Sequence, residues 1–219
     1  LLGGLMIESK GHVYPGHPWF GSPAFDIKYD PEKAKKLLAE AGYSATKKPK
    51  IKIAISTSGS GQMLPLPMNE YVQENLNAVG FDTSFEVMEW NALVTFAFQP
   101  VTGENAKKAG VNGINISRAT VDPYSAFTRL MNSNFVPPVG ANWGVLKDEK
   151  FDAMINKAHT SFDKAEQTKA LSDVHTYIVD QSYWIWIAHD LNPRAMNPKV
   201  KGFVQAQSWF QDLTPIEIK

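Results

Sequence analysis

Tyr29-Asp30-Pro31-Glu32-Lys33-Ala34-Lys35-Lys36-Leu37-Leu38-Ala39-Glu40-Ala41-Gly42-Tyr43 is a helix with both of its ends written into it. Asp30 offers a carboxylate to the first free N–H groups, and Pro31 sits at the first helical position, where its missing donor is not needed. Ala34, Leu37, Leu38 and Ala41 share one face, while Glu32, Lys33, Lys35, Lys36 and Glu40 share the other. Gly42 can take the left-handed conformation that closes the helix. Taken alone, these features define a short amphipathic surface helix.

Outward from it, strands and helices alternate. Residues 6–28, with Tyr14-Pro15-Gly16-His17-Pro18-Trp19-Phe20, read as an ordered irregular loop. Ile51–Ser56 alternates around β-branched residues and predicts a strand that runs into the small-residue loop Thr57-Ser58-Gly59-Ser60-Gly61. Pro65 and Pro67 introduce a helix through about Val79, closed by Gly80. Thr83–Met88 predicts a second strand, a short helix starts at Asn91, and Val111–Ile116 predicts a weaker third strand. Asp122-Pro123 repeats the cap-and-proline start for a helix carrying Phe127, Leu130 and Met131, and Pro137–Gly140 reads as a turn. Phe151, Met154, Ile155 and Ala158 mark one amphipathic helix; Leu171, Val174 and Ile178 mark another. Tyr183-Trp184-Ile185-Trp186-Ile187-Ala188 reads as a buried strand, and the tail after Asp190 is punctuated by Asn, Pro and Gly. The alternation implies an α/β domain whose sheet is covered by helices.

Composition narrows the function classes. The 219 residues are 43% hydrophobic and carry 22 basic and 22 acidic side chains, so the balanced charge leaves no electrostatic footprint for nucleic acid. Lys47-Lys48-Pro49-Lys50 reads as a solvated loop rather than a binding patch, and no apolar run approaches the length of a membrane span. The absence of cysteine excludes disulfides, thiolate metal sites and cysteine nucleophiles. Leu1-Leu2-Gly3-Gly4-Leu5 reads like the end of a helix whose beginning is missing, as in a fragment or a processed chain.

The wording of the capped helix is more specific than its physics. Its D-P-E-K-A-K-x-L-L-A-E-A-G-Y run closely resembles a segment of the bacterial extracellular solute-binding proteins that feed oligopeptide, dipeptide and nickel ABC transporters. Phe81–Leu93 (F-D-T-S-F-E-V-M-E-W-N-A-L) looks like that family's strand ending in an E-W-x-x-L turn. Asn142-Trp143 followed by Phe151-Asp152, and Trp184–Ile187 followed by Val200-Lys201-Gly202-Phe203, resemble later family segments in the same order. The resemblance implies a periplasmic-binding-protein-like lobe. Residues 1–190 would be the second, ligand-binding lobe of a two-lobed protein, and residues 191–219 a tail returning to a first lobe missing here. It further implies a non-enzymatic, cofactor-free capture protein, monomeric when full length and periplasmic or extracellular, free or tethered to the membrane. Such a protein closes by a hinge around a small solute and is recognised by an ABC permease.

Within that frame, Ser58, Gly59, Ser60 and Gly61 follow a strand and precede a helix, where α/β sheets place ligand-facing loops, and Gln62 and Met63 would face the cleft. On residues alone, a plain connecting loop and a ligand loop fit equally well; the resemblance favours the second. No Walker, dinucleotide or nucleophile-elbow pattern is present there. Trp90 offers a stacking face for a ligand or a core side chain, and Asn142-Trp143 shares the ambiguity, Trp143 leaning towards structure. Trp184 and Trp186 read as core. His12 and His17 lack the further ligands a metal site needs. In peptide binders of this family an Asp before the Asp-Pro pair neutralises the peptide amino group; here Ser117-Arg118-Ala119 precedes it, with Ala119 in the acid's place, and the Arg that meets the peptide carboxylate falls near Gly59 or Ser60. An unpaired buried ammonium is disfavoured. The expectation is therefore a sugar-like or other polar non-peptide solute, with a peptide as the alternative. A hydrolase using His189 and a serine, or a purely structural domain, are the competing classes.

Overall fold

The computed structural model describes residues 3–4, 6–58, 62, 64–118, 122–190, 194–206 and 211–219. Its centre is a parallel three-stranded sheet. β1 (Met6–Glu8) comes first in the chain and lies outside that sheet; α1 (Pro31–Glu40) leads into β2 (Lys50–Ser56), α2 (Pro65–Val79) and β3 (Asp82–Met88). The strand–helix–strand unit puts β3 parallel to β2 over its whole length, from Lys50 opposite Asp82 to Ser56 opposite Met88. After α3 (Trp90–Phe96) and α4 (Glu104–Ala109), β4 (Gly113–Ile114) adds to the other side of β2, giving the order β3-β2-β4.

The local signals decide most of these boundaries. The Asp30 carboxylate accepts from the Lys33 amide at 3.0 Å, and Gly42 has φ 82°. Gly80 closes α2 at φ 119°. The α1 apolar face is shallower than its pattern suggests: no residue of α1 is fully buried, and Leu37 stays half exposed, on a helix that packs on α2 and sets Leu38 against Gly80. Of the strand expected over Val111–Ile116, only Gly113–Ile114 pairs with β2.

The second half is helical. Asp122 accepts from the Ser125 amide, and the segment it starts is a π-helical turn, Tyr124–Thr128, running into α5 (Arg129–Met131). α6 (Glu149–Thr160) and α7 (Lys164–Asp180) pack on each other. α7 buries Ala170, Leu171, Val174, His175, Ile178 and Val179, a stripe at helical spacing, against Phe127, Met131, Phe151 and Ile155. Fully burying a side chain such as Phe151 contributes about 1.5–3 kcal/mol. A second core, of Ala54, Leu93, Phe96, Ala106, Val111 and Trp143, lies under the sheet.

The stretch expected to be a strand from Tyr183 is irregular up to Ile187, and pairing starts only at β5 (Ala188–Asp190), antiparallel to β1. The alternation is real, with Trp184 and Trp186 packed on the helical core and Ile185 71% exposed, but none of the described strands forms a ladder with these residues. The tail forms a small hairpin of β6 (Val200–Lys201) and β7 (Glu217–Ile218). Gly3 and Gly4 form a turn with φ of 55° and 91°, while Leu1, Leu2 and Leu5 of the expected helix end lie outside the described residues. No helix among the described residues is long and apolar enough to cross a membrane.

Candidate functional site

The carboxyl ends of parallel strands gather backbone and loop groups at one sheet edge, and a cavity of about 180 Å³ lies there, between the sheet and the β1–β5 ribbon. Gln62, Met68, Asn115, Ile116, Ser117 and Arg118 line its sheet side; Ser9, His12, Trp184, Trp186 and His189 line the ribbon side. Its described lining residues carry no carboxylate.

Of the residues singled out from sequence, Gln62, Ser117 and Arg118 line this cavity. Gly59, Ser60, Gly61, Met63 and Ala119 lie outside the described residues. Ser58 is exposed and is not among the lining. Trp90 opens α3 and packs on the sheet-side core. Asn142 and Trp143 are interior. Trp143 is tilted against Phe96 with ring centroids 6.3 Å apart. The Asn142 amide nitrogen donates to the carbonyls of Met131, Asn132 and Leu146 at 3.3, 3.1 and 2.8 Å, and its oxygen accepts from the Leu146 amide at 2.9 Å. Asn142 thus ties the end of α5 to the turn that carries Leu146, and it is not among the residues that line the cavity.

Hydrogen-bond direction on the sheet side is fixed by a chain of amides. The Pro65 carbonyl can only accept, so Asn69 donates to it (2.7 Å) and presents its oxygen to Asn115 (2.6 Å); the Asn115 oxygen then accepts from Gln62 (3.0 Å). Arg118 is exposed in part, with enough protein around its guanidinium for desolvation, and then the like charge of Arg129, to lower its pKa from the usual arginine value.

Sequence reasoning read His12, His189, Trp184 and Trp186 one by one and did not foresee that they meet on the ribbon side. His12 is buried, accepts at Nδ1 from the Trp186 indole at 3.3 Å, and contacts the rings of Phe127 and Trp184. Desolvation first, then the nearby His175 and His189, pull its pKa down to about 3 against an opposing Ala126 carbonyl, so the ring is neutral at pH 7. The Ser9 hydroxyl donates to the Gly11 carbonyl at 2.6 Å and accepts from the Gly11 amide at 3.3 Å. Its one proton is therefore used, and His189 Nε2, 3.1 Å away, must donate to it. That polarity is the reverse of a serine nucleophile handing its proton to a histidine, and Ser9 is only 1% exposed. No group of three or more His, Cys, Asp or Glu side chains among the described residues could hold a metal ion. The spacing of Ser9, Gly11 and His12 is uninformative until β1 meets β5 and brings them beside His189.

Comparison with known proteins follows this architecture. The family description "bacterial extracellular solute-binding proteins, family 5, middle" matches residues 1–174. Heme-binding protein A of Haemophilus influenzae is 29% identical over 181 residues, 83% of this chain and 31% of that protein. Di/tripeptide-binding protein 2 of Pseudomonas aeruginosa is 26% identical over 197 residues, 88% of this chain and 34% of its own. The chain thus spans about a third of the length of these relatives. The dipeptide-binding protein of Pseudoalteromonas sp. SM9913, solved with Met-Leu, superposes on 99% of this chain with a TM-score of 0.77 at 22% identity, covering 41% of the solved chain. With a parallel sheet edge, a cavity at its carboxyl end and a family match over most of its length, the chain belongs to the bacterial extracellular solute-binding proteins, family 5.

Proposed function

We propose that this chain supplies one wall of the solute site in a protein that captures an extracellular solute for an ABC importer, and that the solute is a peptide or peptide-like molecule with a free carboxylate. The observation that carries this reading is the cavity itself, with Arg118 at its rim and no carboxylate among its described lining residues. A guanidinium pairs with carboxylates through charge-assisted hydrogen bonds. The relatives named above bind, by their names, heme or di- and tripeptides, and none is named for a sugar, so the sugar-like expectation gives way to its peptide alternative. Because Ala119 stands where the resemblance puts an amine-binding acid, recognition rests on the solute's carboxylate and amide groups rather than on a free ammonium.

Residues 1–190 would form the ligand-binding lobe and 191–219 the return towards a first lobe, with capture by hinge closure and handover to a membrane permease outside the cytoplasm. The role is binding rather than catalysis, consistent with the proton direction at Ser9. Calorimetry on the full-length protein tests it, with Met-Leu, acetyl-Met-Leu, hemin and maltose as probes. The peptides should bind, the acetylated one at least as well as the free one. Arg118→Ala should weaken them about 10- to 100-fold, the range for losing a hydrogen bond to a charged group. Binding of maltose alone would refute the reading.

A further inference from the structure

We propose that His189 is a ligand-binding residue of this cavity, presenting the lone pair of its Nδ1 to an amide N–H of the solute. The inference rests on the cavity being the solute site and adds to that reading the group that meets the solute's own donors.

The argument starts from proton counting at Ser9. A hydroxyl has one proton and two lone pairs. The proton goes to the Gly11 carbonyl, and one lone pair receives the Gly11 amide. The remaining lone pair can only receive a donor, and His189 Nε2 is the group beside it. A neutral imidazole protonated at Nε2 carries its lone pair at Nδ1. The ring is neutral at pH 7 because desolvation lowers its pKa, although the Gly11 carbonyl pulls the other way. His189 is half-buried in the cavity wall, and no described side chain bonds to its Nδ1.

The orientation is held from two sides. The backbone of His189 is fixed by its pairing with Ile7 in the β1–β5 ribbon, and its ring lies edge-on to Tyr14. Trp184, Trp186 and Ile187 share the wall with it, and the Ser9 hydroxyl proton is already given to the Gly11 carbonyl. An acceptor set in such a wall discriminates strongly, because a solute lacking the matching N–H leaves it unpaired on desolvation. The chemical class this selects has an amide N–H beside a flat or apolar group and a carboxylate farther along, towards Arg118. A peptide has that order of groups; a polyol does not.

Two substitutions separate this role from a structural one. In His189→Gln the new side chain can place its amide NH2 near the Nε2 position and keep the donation to Ser9, but it lacks an acceptor at the Nδ1 position. His189→Asn does the opposite, placing an oxygen near the Nδ1 position and giving up Ser9. On the full-length protein, with acetyl-Met-Leu as probe in calorimetry, the Gln variant should bind about tenfold or more weakly and the Asn variant should stay nearer the parent. Chemical denaturation of both variants shows which are folded. Equal binding by parent and Gln variant, or loss in Asn with retention in Gln, overturns the assignment. Nitrogen NMR of the histidine rings decides it independently of any ligand. Protonation at Nε2 with a bare Nδ1 on His189 supports the proposal, and a proton on Nδ1 overturns it. If the parent protein binds none of the peptide probes, the proposed function fails, and the ring spectrum alone decides the tautomer on which His189 recognition depends.

Discussion

Replacing Asn142 separates a scaffold role from a ligand role at a position whose sequence leaves both open. In Asn142→Ala the carbonyls of Met131 and Leu146 lose this donor, the Asn132 carbonyl keeps only the Phe135 amide at 3.0 Å, and the Leu146 amide loses its acceptor. Each such bond is worth about 1 kcal/mol net, and each buried group left unpaired costs about 1–3 kcal/mol, so with partial hydration of the looser loop the loss should be about 3–5 kcal/mol. Asn142→Asp sharpens the test. It keeps the acceptor for Leu146 but turns an oxygen towards three carbonyl oxygens in a site only 2% exposed. The folded state should then hold the aspartyl proton more tightly than the unfolded chain, so this variant should lose stability as pH rises above about 4, the ordinary Asp value. Urea titrations of the full-length protein and both variants between pH 4 and 8 measure this, with peptide affinity taken where all remain folded. A loss below about 1 kcal/mol together with a large fall in affinity would refute the scaffold reading.

Asp148 caps α6 through the Lys150 and Phe151 amides and accepts from the hydroxyls of Tyr177 and Tyr183. Desolvation pushes its carboxyl up, but the bonds from Tyr183, Phe151, Tyr177 and Lys150 outweigh it and hold the pKa below the usual Asp value. A depressed carboxyl contributes stability above its unfolded pKa that is lost as pH falls through the folded one. Asp148→Ala should therefore cost about 1–2 kcal/mol at pH 7 and show a flatter acid limb in urea midpoints. His175 donates from Nδ1 to the Phe20 carbonyl at 2.6 Å and accepts at Nε2 from the Val13 amide at 3.2 Å. Desolvation, against the Phe20 bond and with His17 and His189 assisting, lowers its pKa to about 4. The unfolded chain then binds the extra proton between about pH 6.5 and 4, so this group removes about 1.4 kcal/mol per pH unit as pH falls there. His175→Gln should lessen that slope in the same titrations, and an unchanged slope would reject the assignment.

Much of the sheet half was legible because its signals are local. Asp30 and Pro31, Gly42 and Gly80, and the β-branched alternation of Ile51–Ile55 each act within a few residues of where they are read. The α7 stripe was legible for the same reason. The wall carrying Ser9, His12 and His189 was not, because it exists only through pairing of three-residue strands at opposite ends of the chain. His12 and His189 looked isolated in sequence and are neighbours in space. Trp184–Ile187 alternates like a strand because two tryptophans face the helical core, and that packing is met without a partner among the described strands. The six-residue α4 is too short to produce a readable period, and the polarity of Asn142 gave no hint of whether its partners would be a solute or its own loops. Gln62 was picked out from the loop after β2 together with the family resemblance, and Ser117 and Arg118 from the resemblance alone; these three line the cavity.

The pairing of Met6–Glu8 with Ala188–Asp190 also has a kinetic consequence. Ser9 and His189 touch across 180 positions, so the cavity is closed by one of the longest loops this sequence can form. Closing such a loop is entropically expensive, and contacts of that separation tend to form late. The parallel sheet and the α6–α7 pair can each assemble from contiguous stretches and provide the surface on which the two short strands meet. A growing chain on the ribosome can therefore carry a folded sheet well before it carries the cavity that lies between that sheet and the ribbon.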